Sequence, residues 1–214
     1  MITRTRKHRY AKTGLAILAL FAAVTTSSAQ APLKNRDTLV LKESRSTDDI
    51  PVNEYLQEQL QATRQNFKKI NSTTRWTRVK ERSLTETTEG GYALFYYQGQ
   101  LLQKIVARQY GEMFQQLDEY YLLNGQLSFV LERTYRYNRP IYYDSAAMKA
   151  NQDTEAFDFD SSKIEENRCY FLHGRLAHLL NNQDCGAPFA ADFLQEEEKR
   201  IKAAYSDLLR LGKK

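Results

Sequence analysis

Three copies of one turn motif constrain this 214-residue chain more than any other feature. The copies are Phe95-Tyr-Tyr-Gln-Gly-Gln-Leu101, Tyr121-Leu-Leu-Asn-Gly-Gln-Leu127 and Tyr170-Phe-Leu-His-Gly-Arg-Leu176. Each is an aromatic or aliphatic run, a pair ending in Gly, one polar residue and a Leu. Asn-Gly between such runs is a strong hairpin signal, because a type I′ turn needs positive φ at both central residues. Turns are therefore expected at Gln98-Gly99, Asn124-Gly125 and His173-Gly174. The segment from Tyr92 to Tyr143 also holds ten of the fourteen tyrosines, so the sheet built by these hairpins is aromatic.

Around the turns the pattern alternates as strands do. Strands are expected over Trp76–Thr87, Tyr92–Tyr97, Leu101–Tyr110, Phe114–Leu123, Gln126–Tyr137, Lys163–Leu172 and Arg175–Leu180. The first is charged throughout, as suits an edge. In Gln126–Tyr137, Leu127, Phe129, Leu131 and Tyr135 share one face, while Ser128, Val130, Glu132, Thr134 and Arg136 take the other, which predicts one covered and one wet face. Ile141-Tyr-Tyr143 reads as a brief continuation after Pro140, and residues 144–162 as a polar loop.

Helical periodicity brackets the strands. From Pro51, the residues Val52, Leu56, Leu60, Thr63, Phe67 and Ile70 recur at steps of three and four and form one apolar stripe. A second helix starts at Pro188, with Phe189, Phe193, Glu197, Ile201, Ala204, Leu208 and Leu211 facing inward and Glu196–Arg200 largely solvated. The fold class expected is α+β: an antiparallel β-meander of about seven strands, with N-terminal and C-terminal amphipathic helices packed on it. Residues 50–214 form one such domain.

The first 29 residues read as a secretory signal peptide. Arg4, Arg6, Lys7, Arg9 and Lys12 precede an uncharged apolar run from Gly14 to Val24, and Ser27 and Ala29 suit a cleavage site after Ala29. The apolar run rises only about 16 Å, against a hydrocarbon core about 30 Å thick, so no stable membrane insertion is expected after cleavage. A periplasmic or secreted location follows, with residues 30–49 a flexible leader to the domain. Those first 29 residues hold five basic residues and no acidic one, which leaves 26 basic and 26 acidic residues beyond them. The chain's +5 charge therefore belongs to the signal, and a nucleic-acid partner, which needs a basic face, loses its support.

Candidate chemistry is sparse. Cys169 and Cys185 would meet an oxidising compartment and are expected to form a disulfide worth about 3 kcal/mol. In an ideal hairpin at His173-Gly174, the residue opposite Cys169 lies near His178. Beyond Cys169-x-x-x-His173, which the disulfide would remove, neither His173 nor His178 has a partner at zinc-binding spacing. Asp158-Phe-Asp160-Ser-Ser162 begins like a calcium loop, but Lys163 replaces the required Gly and Cys169 the closing Glu. No Gly-x-Ser-x-Gly, phosphate loop or dinucleotide turn is present, so no metal and no cofactor is implied. The adjacent carboxylates Asp118-Glu119 and Glu165-Glu166 point to opposite faces of their strands and cannot converge within a pair.

The segment Tyr135-Arg-Tyr-Asn-Arg-Pro-Ile-Tyr-Tyr143 is the candidate binding site. Arg136 and Arg139, interleaved with Tyr137, Tyr142 and Tyr143, offer stacking and forked hydrogen bonds to a protein, peptide or envelope polymer. The competing role for these arginines is pairing with strand carboxylates such as Glu119 or Glu132.

The repeated aromatic–Asn-Gly-x-Leu hairpin resembles the repeat of MORN-variant and antitoxin-type β-hairpin proteins. From Tyr92 to Leu180 the chain also resembles small exported bacterial proteins of unknown function that combine a Tyr-rich sheet with terminal helices. The resemblance implies a sheet scaffold with a non-catalytic role and brings no catalytic residue with it.

Two functional expectations follow. One is an exported, soluble, non-catalytic binding or accessory protein that recognises its partner through a sheet face. The other is a periplasmic hydrolase using carboxylates on the open sheet face. A binding module predicts a shallow aromatic and arginine face with ordinary carboxylate environments. An enzyme predicts a cleft in which two carboxylates meet, at least one of them desolvated.

Overall fold

Seven antiparallel strands follow one another in space in the order in which they follow along the chain. The computed structural model describes residues 54–183 and 189–213, which fall within one compact unit, Glu43–Lys214. The signal peptide, the leader, Pro51, Val52, Cys185 and Pro188 lie outside the described residues. The strands are β1 (Arg78–Leu84), β2 (Gly91–Gln98), β3 (Leu101–Tyr110), β4 (Phe114–Leu123), β5 (Gln126–Arg136), β6 (Lys163–Leu172) and β7 (Arg175–Asn181). Helix α1 (Glu54–Ser72) precedes them and α3 (Ala191–Lys213) follows. The fold is α+β. Within the segment expected to be a polar loop, a short helix α2 (Ser145–Ala150) forms; Asp144 caps it by accepting from the Ala146 and Ala147 amides.

The two long helices cover opposite faces. Leu56, Leu60 and Ile70 of α1 join Tyr121, Phe129, Leu131 and Tyr170 in one core. Ile201 and Leu208 of α3 join Phe95, Tyr120, Val130 and Cys169 in the other. Tyr120 and Tyr121 are strand neighbours and so mark the two faces. Beyond the α1 core, Leu117, Tyr135 and Tyr137 pack with Ile141, Phe157 and Phe159, so the segment after β5 covers the rest of that face. The expected wet face is therefore corrected: Ser128, Val130 and Glu132 are all buried. At its far end α3 reaches β1, where the Lys80 Nζ donates to the Gly212 carbonyl at 3.0 Å. Gly212 is needed there, since a Cβ would sit 2.8 Å from the Phe95 ring.

The three motif hairpins share one irregularity. Each carries a register shift just past its turn, and in each the extra residue is the third after the turn: Gln103, Ser128 and Ala177. Asn124 and Gly125, and likewise His173 and Gly174, have positive φ, as type I′ turns require. The first copy differs. Gln98 pairs with Leu101, so the turn is Gly99-Gln100, and only Gly99 has positive φ, the requirement of a type II′ turn. The turn thus places its positive φ on Gly99, which takes it at no steric cost. The leucine entering the α3 core is consequently Leu102, matching Leu127 and Leu176, while Leu101 is exposed. The bulge also moves Leu127 away from the face of Phe129, where strict alternation would place it.

Candidate functional site

The proposed arginine–tyrosine site does not assemble on one surface. Arg136 and Tyr137 are successive and diverge. Arg136 is exposed and forks onto Glu165, with Nε donating to Oε1 at 2.8 Å and Nη2 to Oε2 at 3.3 Å. Tyr137 is buried against the Phe157 and Phe159 rings on the opposite face. Arg139 donates to Asp153 Oδ1 at 3.0 Å, with Glu155 further away at 3.9 Å. Tyr143 is half-buried, and Tyr142 stands 61% exposed. Both arginines are thus engaged by carboxylates, Glu165 and Asp153, rather than by Glu119 or Glu132.

Cys169 is a free thiol, buried on the α3 face, and Cys185 lies outside the described residues. Leu179, not His178, is its strand partner, because the bulge at Ala177 shifts the register by one. Among the described residues no cluster of three or more His, Cys, Asp or Glu side chains has metal-holding geometry. Likewise, no described helix is long and apolar enough to cross a membrane.

The chemistry lies instead in the middle of the sheet, on both faces. On the α1 face, Lys104, Glu119, Arg133, Glu166 and Arg168 form an alternating chain of charges. Lys104 Nζ donates to Glu119 Oε1 at 2.8 Å and Arg133 Nη2 to Glu119 Oε2 at 3.3 Å. Arg133 Nε lies 3.6 Å from Glu166 Oε2, and Arg168 Nε donates to Glu166 Oε1 at 2.7 Å. The Tyr121 hydroxyl adds a 2.9 Å bond to Glu119 Oε2. Burial opposes ionisation of Glu119, but the Lys104 ammonium and the Arg133 guanidinium outweigh it and hold the carboxyl below its usual range.

On the α3 face the charges do not balance. Asp118 of β4 and Glu132 of β5 are direct cross-strand partners, which places their Cβ atoms about 5 Å apart on one face. They are 8% and 6% exposed. Gln116 Nε2 donates to Asp118 Oδ2 at 2.9 Å, and Arg200 Nη2 of α3 donates to Glu132 Oε2 at 2.8 Å. The other two oxygens, Asp118 Oδ1 and Glu132 Oε1, are enclosed without a hydrogen-bond partner. Arg200 is shared, since its Nε and Nη2 also bond Glu197. Burial, followed by the charge of Glu132, pushes the Asp118 carboxyl up to about 7, although Gln116 and Arg200 pull the other way. Burial likewise raises Tyr120 and Cys169 well above their ordinary values, with Asp118 and Glu132 contributing.

Glu132 forms part of the wall of a groove of ≈ 560 Å³ between the sheet and the start of α3. Gln116, Thr134, Asn167, Asn181 and Gln183 line its sheet side, and Phe189, Phe193, Glu197 and Arg200 its helix side. Phe189 and Phe193 stack with centroids 5.1 Å apart. Phe193 is 42% exposed, so its expected inward position is corrected: it is a ledge of the groove rather than a core residue. Asp118 stands behind Glu132 and does not line the groove.

Sequence reasoning had no signal for this site except the presence of carboxylates at 118 and 132 and an arginine within an acidic helical turn. Asp118 and Glu132 form the desolvated carboxylate pair expected of the hydrolytic reading, but only Glu132 lines the groove, so the two do not meet within it. Comparison with known protein families, curated proteins and solved structures finds no match to this chain.

Proposed function

We propose that the chain is an exported, non-catalytic binding protein, and that the groove between the sheet and α3 is its recognition site for a peptide or envelope polymer. The observation that supports this reading is the lining: a row of amide, hydroxyl and carboxylate side chains facing a stacked phenylalanine ledge. Such a surface offers hydrogen bonds to a polar chain on one side and apolar contact on the other. Arg136 sits near the rim through Glu165, so the earlier candidate touches this site at one residue.

The test uses retention of the purified protein on arrays of peptides and envelope polysaccharides. Thr134→Arg fills the groove from an incompletely buried strand position and is expected to abolish retention, whereas Arg136→Ala/Arg139→Ala retains it. Equal retention by wild type and Thr134→Arg rejects the groove.

The Asp118–Glu132 pair favours a second reading, acid–base hydrolysis. Against it, only Glu132 reaches the groove, so no scissile bond lies between the two carboxylates as a paired mechanism requires. Breakdown of a retained polymer, lost in Glu132→Gln, would establish hydrolysis in place of binding.

A further inference from the structure

We infer that the groove's ligand is a neutral glycan, its hydroxyl groups bonded to the side-chain amides of Asn167 and Asn181 and one apolar ring face resting on the Phe189–Phe193 ledge. The inference rests on the groove being the binding site.

The amides form a row across the groove floor. Glu132, Asn167 and Asn181 are cross-strand partners in turn on β5, β6 and β7, so their side chains stand beside one another about 5 Å apart. The Gln183 main-chain N–H donates to Asn181 Oδ1 at 2.6 Å, Asn181 Nδ2 donates to Asn167 Oδ1 at 2.6 Å, and Asn167 Nδ2 donates to Glu132 Oε2 at 3.4 Å. That line of bonds orients both carboxamides before any ligand arrives. It uses one N–H and one oxygen lone pair of each, so each keeps a donor and an acceptor for a ligand. Asn167 and Asn181 are part-exposed in the lining, whereas Asp118 and Glu132 are buried.

A hydroxyl suits such an amide, because it donates one hydrogen bond and accepts others. A sugar ring carries hydroxyls around its rim and apolar C–H groups on its faces. The rim meets the amide row, and a face meets the stacked rings, where Phe193 stands 42% exposed. Gln116 on β4 and Thr134 on β5 are partners in the next row and extend the polar floor, which therefore spans β4 to β7, about 14 Å. That length takes a short run of rings rather than one.

Charge and main-chain pairing narrow the choice. Glu132 and Glu197 are bonded to Arg200, and Glu165 to Arg136, so each carboxylate in the lining already has a counter-charge. An anionic polymer finds no uncommitted cation there. A peptide strand is bound through an open sheet edge, whose main-chain groups pair with its own. Here the floor is a sheet face, where β4 to β7 pair with one another and side chains alone stand up from it.

Retention of the purified protein on oligosaccharides of glucose, mannose, galactose and N-acetylglucosamine tests this, beside oligogalacturonate and the peptide array. At least one neutral oligosaccharide is expected to be retained, and oligogalacturonate and the peptides are not. Since no charge on the ligand is involved, retention should be unchanged between about 0.05 M and about 0.5 M salt. Asn181→Ala removes a donor and loosens Asn167, while Phe193→Ala removes the ledge at an exposed position. Each is expected to weaken affinity about tenfold, and Thr134→Arg to abolish binding. Neutral sugars bound at full affinity by both alanine variants would overturn the assignment. If no neutral sugar is retained the glycan is wrong, and peptide or oligogalacturonate retention lost in Thr134→Arg would then leave the groove standing. Retention insensitive to Thr134→Arg would remove the groove and this inference together.

Discussion

Asp118 and Glu119 are adjacent on one strand, equally buried, and opposite in electrostatic fate. Glu119 faces α1 and meets Lys104 and Arg133, so it is held ionised below its usual range. Asp118 faces α3 and meets a second carboxylate, with the nearest cation already divided between Glu132 and Glu197, so its pKa climbs to about 7. Desolvation is common to both residues, and the balance of counter-charges decides the sign. On the α1 face each carboxylate is flanked by two cations and the network serves as structure, although Arg133 Nε is enclosed without a hydrogen bond. The α3-face pair keeps two enclosed oxygens without a hydrogen bond and a proton within reach of neutral pH.

The comparison can be broken most forcefully at its balanced half. Arg133→Leu strips one counter-charge from both Glu119 and Glu166, and the loss of one buried partner is expected to destabilise by about 3–5 kcal/mol in urea unfolding. A change below 1 kcal/mol would show that the α1-face charges are not coupled.

The unbalanced half makes the opposite prediction. The folded-state pKa of Asp118 is raised above its unfolded value, so its stabilising proton is fully present below about pH 4 and lost as pH climbs through about 7. Asp118→Asn should therefore stabilise by about 2–4 kcal/mol at pH 8, with the gain fading by pH 4. Glu119, with a lowered pKa, contributes stability that persists above its unfolded value and disappears in acid, so a Glu119→Gln penalty should fade as pH falls. Parallel pH profiles for the two variants would refute the contrast. The smallest effect is expected at Arg136→Ala, whose exposed ion pair should leave the melting temperature unchanged within error.

Much of the frame was legible in the chain. The limits of β3, β4 and β6 match the alternating runs residue for residue, because turn glycines and strand periodicity are local signals. The Thr63 and Phe67 stripe of α1 was equally plain, since a helix repeats its face every three or four residues. The candidate site fared differently. Tyr135–Tyr143 looked like one constellation because its residues are near in sequence. Yet strand alternation sends Arg136 and Tyr137 to opposite faces, and the following segment folds back to bury Tyr137.

The Asp118–Glu132 pairing depends on a single extra residue. With an ideal two-residue turn at Asn124-Gly125, Asp118 would stand opposite Leu131. The bulge at Ser128, whose hydroxyl donates to the Tyr121 carbonyl at 3.0 Å, advances the register by one and brings Asp118 opposite Glu132. Strand count, strand order, turn positions at Asn124 and His173 and the two bracketing helices follow from short-range pattern and backbone preference, which reside in the chain itself. Which carboxylate meets which, which arginine crosses from α3 to reach Glu132, and which of two neighbouring acids keeps a proton were settled only on folding. Each depends on a one-residue register shift and on distances between elements far apart in sequence.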